Sequence, residues 1–221
     1  MKIVIQCAGS KTQIHPDAGF RSSDSRIIKF VAHPELAPNS ESYVYFRPDD
    51  LFQGAQTWRT RLLNYNMEYQ ENSCHLLPAY RLYSNPIYRK LVERFGIEHV
   101  FILSAGWGLI RSDFLTPDYD ITFSGAKNVA PYARRRKSDS FSDLCLLPDD
   151  GDNIIFIGGK DYLPLFLELT ANFSGLKEIF HNTKADFHLG TGFIAKRFKT
   201  NQKTNWHYEC AQTLIDTVLG L

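Results

Sequence analysis

Short apolar segments separated by polar, turn-rich segments form the hydrophobic pattern of this chain. Residues 99–104 are the most continuous apolar run, which predicts a central strand covered on both faces. Residues 2–7 and 153–157 are also β-rich, and each run ends in small residues. Three more strands are expected, over Ile27–Val31, residues 42–46 and residues 194–199.

Apolar residues at helical spacing occur between these strands. Residues 51–67 carry apolar or aromatic side chains at intervals that predict a helix. A second helix is expected over Ile87–Phe95, because Asn85 is a typical N-cap and Gly96 a typical helix end. Two further helices are expected, over residues 162–171 and 211–219.

The alternation of helices with strands predicts the fold class. It indicates an α/β fold of three layers, in which helices flank a mixed but largely parallel central sheet. We expect one domain, residues 1–221, because this length suits a single large domain. Residues 12–40 form an irregular segment, and such long loops in a domain usually have a function.

Composition excludes several classes of protein. Hydrophobic residues make up 43% of the chain and charged residues 22%, so disorder is excluded as the main state. No apolar run approaches the roughly 18 residues of a membrane span, so no membrane contact is expected. The four cysteines lie far apart without a C-x-x-C pair. This argues against a zinc site or a disulfide scaffold and favours the reducing cytoplasm.

Three strand ends combine small residues with a polar group: residues 7–11, 104–108 and 158–160. Ligands of open α/β sheets gather outside the carboxyl ends of the strands. If the three strands are parallel neighbours, their turns meet at one crevice, where Lys11 and Lys160 would attract a phosphate or another anion. Tight packing turns explain such glycines about as well. Complete phosphate-loop, dinucleotide and metal-site motifs are absent, so neither a cofactor nor a metal is expected.

A pair of carboxylates follows the apolar run. Asp118 and Asp120 point the same way if residues 116–120 are extended. Paired carboxylates can divide the labour of catalysis, since one activates a water molecule while the other orients it or stabilises charge. The alternative is an Asx-type turn that closes a loop.

Two basic segments are candidates for contacts with a polynucleotide. The net charge is only +1, so binding of nucleic acid requires a local patch. One segment consists of Arg134, Arg135, Arg136 and Lys137. The other includes Lys199 and Lys203 and leads into Trp206, His207 and Tyr208. Basic residues among aromatic ones suit phosphate contacts and base stacking, although a solvated surface is the simpler explanation for either run. His207 is the one histidine whose surroundings single it out.

Several of these segments, taken in order, resemble the YaaA-like superfamily. The residues that carry the likeness are the turn at 7–11, the tyrosines Tyr83 and Tyr88, the run at 102–110 and the pair Tyr119-Asp120. They are similar to the family's "L-S-A-x-Y-G-L" and "P-Y-D" signatures over about residues 1–125. Trp107 stands where the family has Tyr, and Asp118 separates Pro117 from Tyr119.

The resemblance implies a mixed α/β fold with a positively charged cleft. It also implies an association with DNA, with protection against stress and with the modification of nucleobases. The leading hypothesis is an enzyme that binds DNA and acts on a base, most plausibly an N-glycosylase that excises a modified base. The alternatives are a DNA-binding stress or defence protein without catalysis, and an enzyme that acts on a free nucleotide or nucleoside.

The hypothesis assigns a role to each candidate residue. Asp120 or Asp118 would activate water, and Lys11 would hold the base edge or a phosphate. Trp107, Tyr119 or Tyr83 would stack on a base rotated out of the helix. The full set of substrate contacts is Cys7, Ser10, Ser104, Trp107, Gly108, Tyr119 and Lys160. The DNA backbone would contact Arg134, Arg135, Arg136, Lys137, Lys199 and Lys203.

Overall fold

The structure, a computed structural model, describes residues 1–68, 71–183, 190–202 and 204–217. The strands of its main sheet are β1 (Lys2–Gln6), β7 (Val100–Ser104), β8 (Gly108–Arg111), β11 (Leu144–Cys145), β12 (Ile154–Ile157), β13 (Lys177–His181) and β14 (Phe193–Arg197). The smaller sheets contain β2 (Ile27–Val31), β3 (Tyr43–Phe46), β4 (Leu51–Gln53), β5 (Gln56–Thr57), β6 (Leu77–Pro78), β9 (Leu115–Thr116) and β10 (Tyr119–Asp120). The helices are α1 (Trp58–Met67), α2 (Ala79–Leu82), α3 (Ile87–Phe95), α4 (Leu163–Leu169) and α5 (Trp206–Thr217).

The main sheet has seven strands in the order β11-β8-β7-β1-β12-β13-β14. The five strands from β7 to β14 are parallel neighbours, whereas β8 runs antiparallel to β7. Helices α3 and α5 pack together, α5 also contacts β12, and α4 contacts β8. The predicted three-layer α/β fold with a mixed, largely parallel sheet is confirmed. Within the described residues, no helix is long and apolar enough to span a membrane.

Strand β1 is the centre of the sheet. Its residues Ile3, Val4 and Ile5 are fully buried, as expected for a parallel strand with both faces covered. It pairs with β7 on one side and with β12 on the other. The chain therefore leaves β1 towards one side and returns later on the opposite side. This reversal opens a crevice at the carboxyl ends of β1 and β12.

The first predicted helix is shorter than its apolar spacing indicates. Residues 51–57 form the antiparallel hairpin β4–β5, and the helix begins only at Trp58. Gly54 turns this hairpin with a φ of +56°, and the Thr57 side chain then caps the helix by accepting a hydrogen bond from the Thr60 amide at 3.2 Å. A turn residue and a cap therefore override the apolar spacing upstream of Trp58.

The other elements follow the prediction more closely. The Asn85 side chain accepts a hydrogen bond from the Ile87 amide at 2.9 Å, and the helix ends at Gly96, whose φ is +89°. The C-terminal helix begins at Trp206, five residues earlier than expected. Strand β13 was not predicted, although its burial alternates along the strand. Residues 12–40 are irregular apart from Ile27–Val31 and a short 3₁₀ turn over Pro34–Leu36.

The fold makes a specific demand on Gly108, which begins β8 with a φ of +88°. A side chain there would collide with the backbone carbonyl oxygen and amide of Leu144, because β11 lies directly against this residue. We expect Gly108→Ala to lower the free energy of unfolding by about 3 kcal/mol or more in a denaturant titration. Gly9→Ala is the control, since nothing lies within 4 Å of its added methyl group. Equal stability of the two variants would contradict this packing.

Candidate functional site

A cavity of about 780 Å³ opens where β1 and β12 end. Its walls come from four parts of the chain: residues 6–11, residues between 120 and 133, residues 159–162 and residues 204–208, with Asn182 and Thr183 at one side. These segments are the turns after β1 and β12, the long connection after β10 and the first turn of α5. The cavity thus lies at the crevice that the sheet topology creates.

The structure brings Lys11 and Lys160 together on this cavity, as the sequence predicts from the two strand ends. Cys7 also lines the cavity, at the end of β1. Ser10 lies beside it, in an adjoining cleft of about 360 Å³. Lys160 is exposed at the rim, whereas the Lys11 side chain is only 14% exposed. The two lysines therefore differ in exposure: Lys160 is open to solvent at the mouth of the cavity, and Lys11 is largely buried in its wall.

Lys11 is held by Asp118 and Tyr119, at the start of β10. Its ammonium group donates a hydrogen bond to the Tyr119 carbonyl oxygen and lies 4.4 Å from the centroid of the Tyr119 ring. The Asp118 carboxylate is 3.8 Å from the ammonium group. Burial lowers the pKa of Lys11, while Asp118, Cys7 and Asp120 act in the opposite direction. The cost of desolvating the Lys11 side chain is thus offset only in part by its neighbours, among them two carboxylates.

Asp118 and Asp120 flank Tyr119, whose side chain is buried in the core. Strand β10 covers Tyr119 and Asp120, and both carboxylates lie near enough to Lys11 to favour its charged form. Asp120 lines the cavity, whereas Asp118 is not part of its wall. Burial, followed by the nearby Asp120 carboxylate, raises the pKa of Tyr132, which also lines the cavity. Asp120 is therefore the carboxylate placed to meet a ligand, and Asp118 is placed to hold Lys11.

The predicted stacking residues are wrong. Trp107 is 0% exposed and packs edge-on against Phe30 at a centroid distance of 5.0 Å. Tyr83 and Tyr119 are equally buried. Gly108 meets the backbone of Leu144, so its role is packing and not contact with substrate. Trp107 lies in the tight connection from β7 to β8, and its side chain packs in the core. The aromatic residues that do line the cavity are Tyr132, Tyr162, Trp206 and Tyr208.

A buried network of hydroxyl groups lies beneath the cavity. The Ser104 hydroxyl donates to the Tyr119 hydroxyl at 2.9 Å, and the Tyr83 and Tyr119 hydroxyls are 2.8 Å apart. The Cys7 sulfur is 3.2 Å from the Tyr162 hydroxyl. Burial raises the pKa of all three tyrosines well above 10, so their hydroxyl groups stay neutral. Ser104 is fully buried, which contradicts its predicted contact with substrate and makes it a support for this layer.

The first basic run divides into buried and exposed residues. The Arg135 side chain is 7% exposed and pairs with the Asp143 carboxylate at 2.5 Å. It also donates to the Ala105 carbonyl oxygen at 2.8 Å, so its predicted contact with DNA is wrong. Arg134, Arg136 and Lys137 are exposed, as is Lys199 in the second basic segment. Lys203 lies outside the described residues.

Two clefts adjoin the cavity, and the lining of each contains exposed cations. One is lined by Arg136 and Lys137 and shares Asp161 with the cavity. The other is lined by Arg197 and Lys199 and shares Asn182 with it. Carboxylates accompany these cations: Asp139, Asp143, Asp161 and Glu168 in the first cleft and Glu209 in the second. The exposed cations therefore lie next to the cavity, among acidic side chains.

Sequence reasoning missed several parts of the wall. The connection after β10 supplies much of it, through small and polar residues without a motif. His207, which the sequence does single out, is 5% exposed and lines the cavity. Burial lowers its pKa to about 4, so its imidazole is neutral. Within the described residues, no group of three or more histidine, cysteine, aspartate or glutamate side chains is arranged to hold a metal ion.

Comparisons with known proteins leave the site to be interpreted from its own geometry. No protein-family model, no curated protein and no solved structure matches this chain.

The Arg135–Asp143 pair generates a prediction about stability. Arg135→Ala leaves the buried Asp143 carboxylate without its partner, and we expect a loss of about 3–5 kcal/mol in the free energy of unfolding. Arg136→Ala is the matched control, because the neighbouring side chain is exposed and its loss is expected to change stability by less than about 0.5 kcal/mol. Urea titrations of both variants make the comparison. If they are equally stable, the buried ion pair does not support the fold.

Proposed function

We propose that this protein is an enzyme that binds DNA and removes a modified base by hydrolysis of its N-glycosidic bond. The observation that carries the proposal is the position of the cavity. It holds the Asp120 carboxylate and the largely buried Lys11 ammonium group in its wall, and it adjoins two clefts whose linings include exposed cations.

The size of the cavity supports a single nucleotide as the ligand. About 780 Å³ lies within the range of roughly 300–1,000 Å³ that is typical of cavities for small molecules. An enzyme that acts on a base within a duplex must rotate the nucleotide into such a cavity. Tyr132 and Tyr208 line it and are only partly buried, so they replace Trp107 as the residues that can contact a base.

The paired charges support hydrolysis at the sugar. As the bond from C1′ to the base breaks, its electron pair leaves with the base nitrogen, which gains a proton from water. Positive charge develops at C1′, and the Asp120 carboxylate would stabilise it and accept a proton from the attacking water. Lys11, positioned by the Asp118 carboxylate and the Tyr119 carbonyl oxygen, would hold the base edge or a phosphate in the same wall. These steps need no cofactor and no metal.

Exposed cations around the cavity support DNA over a free nucleotide. Arg136 and Lys137 in one adjoining cleft and Lys199 in the other could contact phosphates that flank the rotated nucleotide. The resemblance to the YaaA-like superfamily, which we retain as a proposal, implies the same partner. We also propose a cytoplasmic location, since Cys7, Cys74, Cys145 and Cys210 are free thiols.

The direct test is to incubate the purified chain with DNAs that carry varied natural base modifications and to identify released bases by mass spectrometry. The matching free nucleotides are incubated in parallel. We expect release from at least one modified DNA and none from the nucleotides. Release from nucleotides alone would favour an enzyme of nucleotide metabolism. Binding without release from any DNA would favour a DNA-binding protein without catalysis, and either result overturns the proposal.

We predict that Asp120→Asn lowers base release at least about a hundredfold, because the amide can neither stabilise charge at C1′ nor accept the proton. Single-turnover rates at saturating enzyme isolate this chemical step from binding. Asp118→Asn is the comparison and should cost less, since Asp118 acts through Lys11. DNA affinity should be unchanged or tighter in both variants, because a negative charge is removed. A wild-type rate for Asp120→Asn would exclude this carboxylate from catalysis.

We predict that the combined change of Arg134, Arg136 and Lys137 to Ala weakens DNA binding and makes it less dependent on salt. The slope of log affinity against log salt should fall by about one for each phosphate that these side chains neutralise in the wild-type complex. Arg111→Ala is the control, because this exposed arginine ends β8 opposite Phe101, near the start of β7, and the cavity lies at the other end of the parallel strands. An unchanged slope in the triple variant would show that these residues are only a solvated surface.

A further inference from the structure

A chain of hydrogen bonds fixes the orientation of the Gln6 side chain at the end of β1. The Gly159 backbone amide donates to Gln6 Oε1 at 2.5 Å. A backbone N–H can only donate, so the carbonyl oxygen of the side-chain amide must face Gly159. The amide nitrogen of Gln6 therefore faces the other way, towards His207.

The orientation of Gln6 in turn fixes the tautomer of His207. Gln6 Nε2 lies 3.4 Å from His207 Nε2 and can only donate a hydrogen bond. His207 Nε2 must then accept with its lone pair, and the single proton of the neutral ring is on Nδ1. Burial, which lowers the pKa of His207 to about 4, keeps the ring neutral at physiological pH.

The Nδ1–H group of His207 has no hydrogen-bond partner among the described residues, although the residue as a whole is only 5% exposed. The ring belongs to the wall of the cavity, in the first turn of the 12-residue helix α5. Amides in the first turn of a helix lack partners within the helix and carry partial positive charge. In α5 the Tyr208 amide donates to the Asn205 carbonyl oxygen at 3.0 Å, so the candidates for binding a ligand are the amides of Trp206 and His207. An unpaired donor and a helix N-terminus therefore meet at the same wall.

We infer that His207 Nδ1–H, the first turn of α5 and Lys160 form a phosphate subsite within the cavity. Lys160 comes from the turn after β12, next to the Gly159 amide that orients Gln6. Helix N-termini bind phosphate through their amides, and a neutral donor fixed in one tautomer adds direction to that binding. Asp120 and Asp161 also line the cavity and oppose an anion near them. That the bound phosphate belongs to a nucleotide rests on the proposed function. The anion subsite itself rests only on these hydrogen-bond donors and on the charge of Lys160.

The tautomer can be read from the wild-type protein by long-range ¹H–¹⁵N NMR of its histidine rings. We expect His207 to be neutral at pH 7, with its proton on Nδ1. In Gln6→Glu the carboxylate can only accept, from Gly159 and from His207, so the proton should move to Nε2 or the ring should become charged. A wild-type ring that is protonated on Nε2, or charged at pH 7, overturns the inference without any appeal to a variant.

Titration with inorganic phosphate tests the subsite itself, with ¹H–¹⁵N shifts of the backbone amides as the readout. We expect the largest shifts in the first turn of α5 and around Lys160. His207→Asn should keep binding, because the asparagine amide can replace Nδ1–H. His207→Gln, which mimics Nε2 instead, should weaken binding at least about tenfold, the cost of one hydrogen bond to a charged group.

Two results contradict the subsite: equal affinity in the Asn and Gln variants, or phosphate shifts at other surfaces of the protein. Circular dichroism of both variants confirms that they fold. Since inorganic phosphate carries no base, this titration succeeds or fails independently of base release. Phosphate binding without release from any DNA would keep the subsite and overturn only the proposed function.

Discussion

The pairing of β1 with β7 on one side and with β12 on the other is the constraint on which the rest of the structure depends. It sends the turns after β1 and β12 away from each other and leaves a crevice between them. Lys11 and Lys160 reach that crevice only because their strands are parallel neighbours. The connection after β10 and the first turn of α5 then close it from the other sides, so the cavity is a consequence of strand order.

The layer beneath the cavity supports its wall. Ser104, Tyr83 and Tyr119 satisfy one another's hydroxyl groups in a fully buried setting. Buried polar groups that are satisfied fix a single arrangement, because any displacement leaves one of them without a partner. Tyr119 also presents its carbonyl oxygen and its ring to Lys11. Tyr119 therefore links the buried hydroxyl network to the ammonium group, which Asp118 also contacts.

The sequence could predict what depends on local pattern. Buried strands, the cap at Asn85 and the shared edge of Lys11 and Lys160 follow from residue type and strand order. It could not show that Trp107 faces the core, because an aromatic residue in a turn is equally compatible with both faces. In the sequence Arg135 cannot be distinguished from the arginines on either side of it. Its burial depends on the ion pair with Asp143, eight positions further on, which only the folded chain brings together. The tautomer of His207 depends on Gln6, 201 positions away, and no local pattern contains that contact.

The central claim is that the cavity at the carboxyl ends of β1 and β12 receives the nucleotide. Hydrogen–deuterium exchange, with and without an oligonucleotide that carries a non-cleavable abasic analogue, tests it most directly. Bound DNA should slow exchange at residues 7–11, at residues 158–162 and in the first turn of α5, with weaker effects at Arg136 and Lys199. Protection confined to other surfaces, such as the β4–β5 hairpin, would contradict the account.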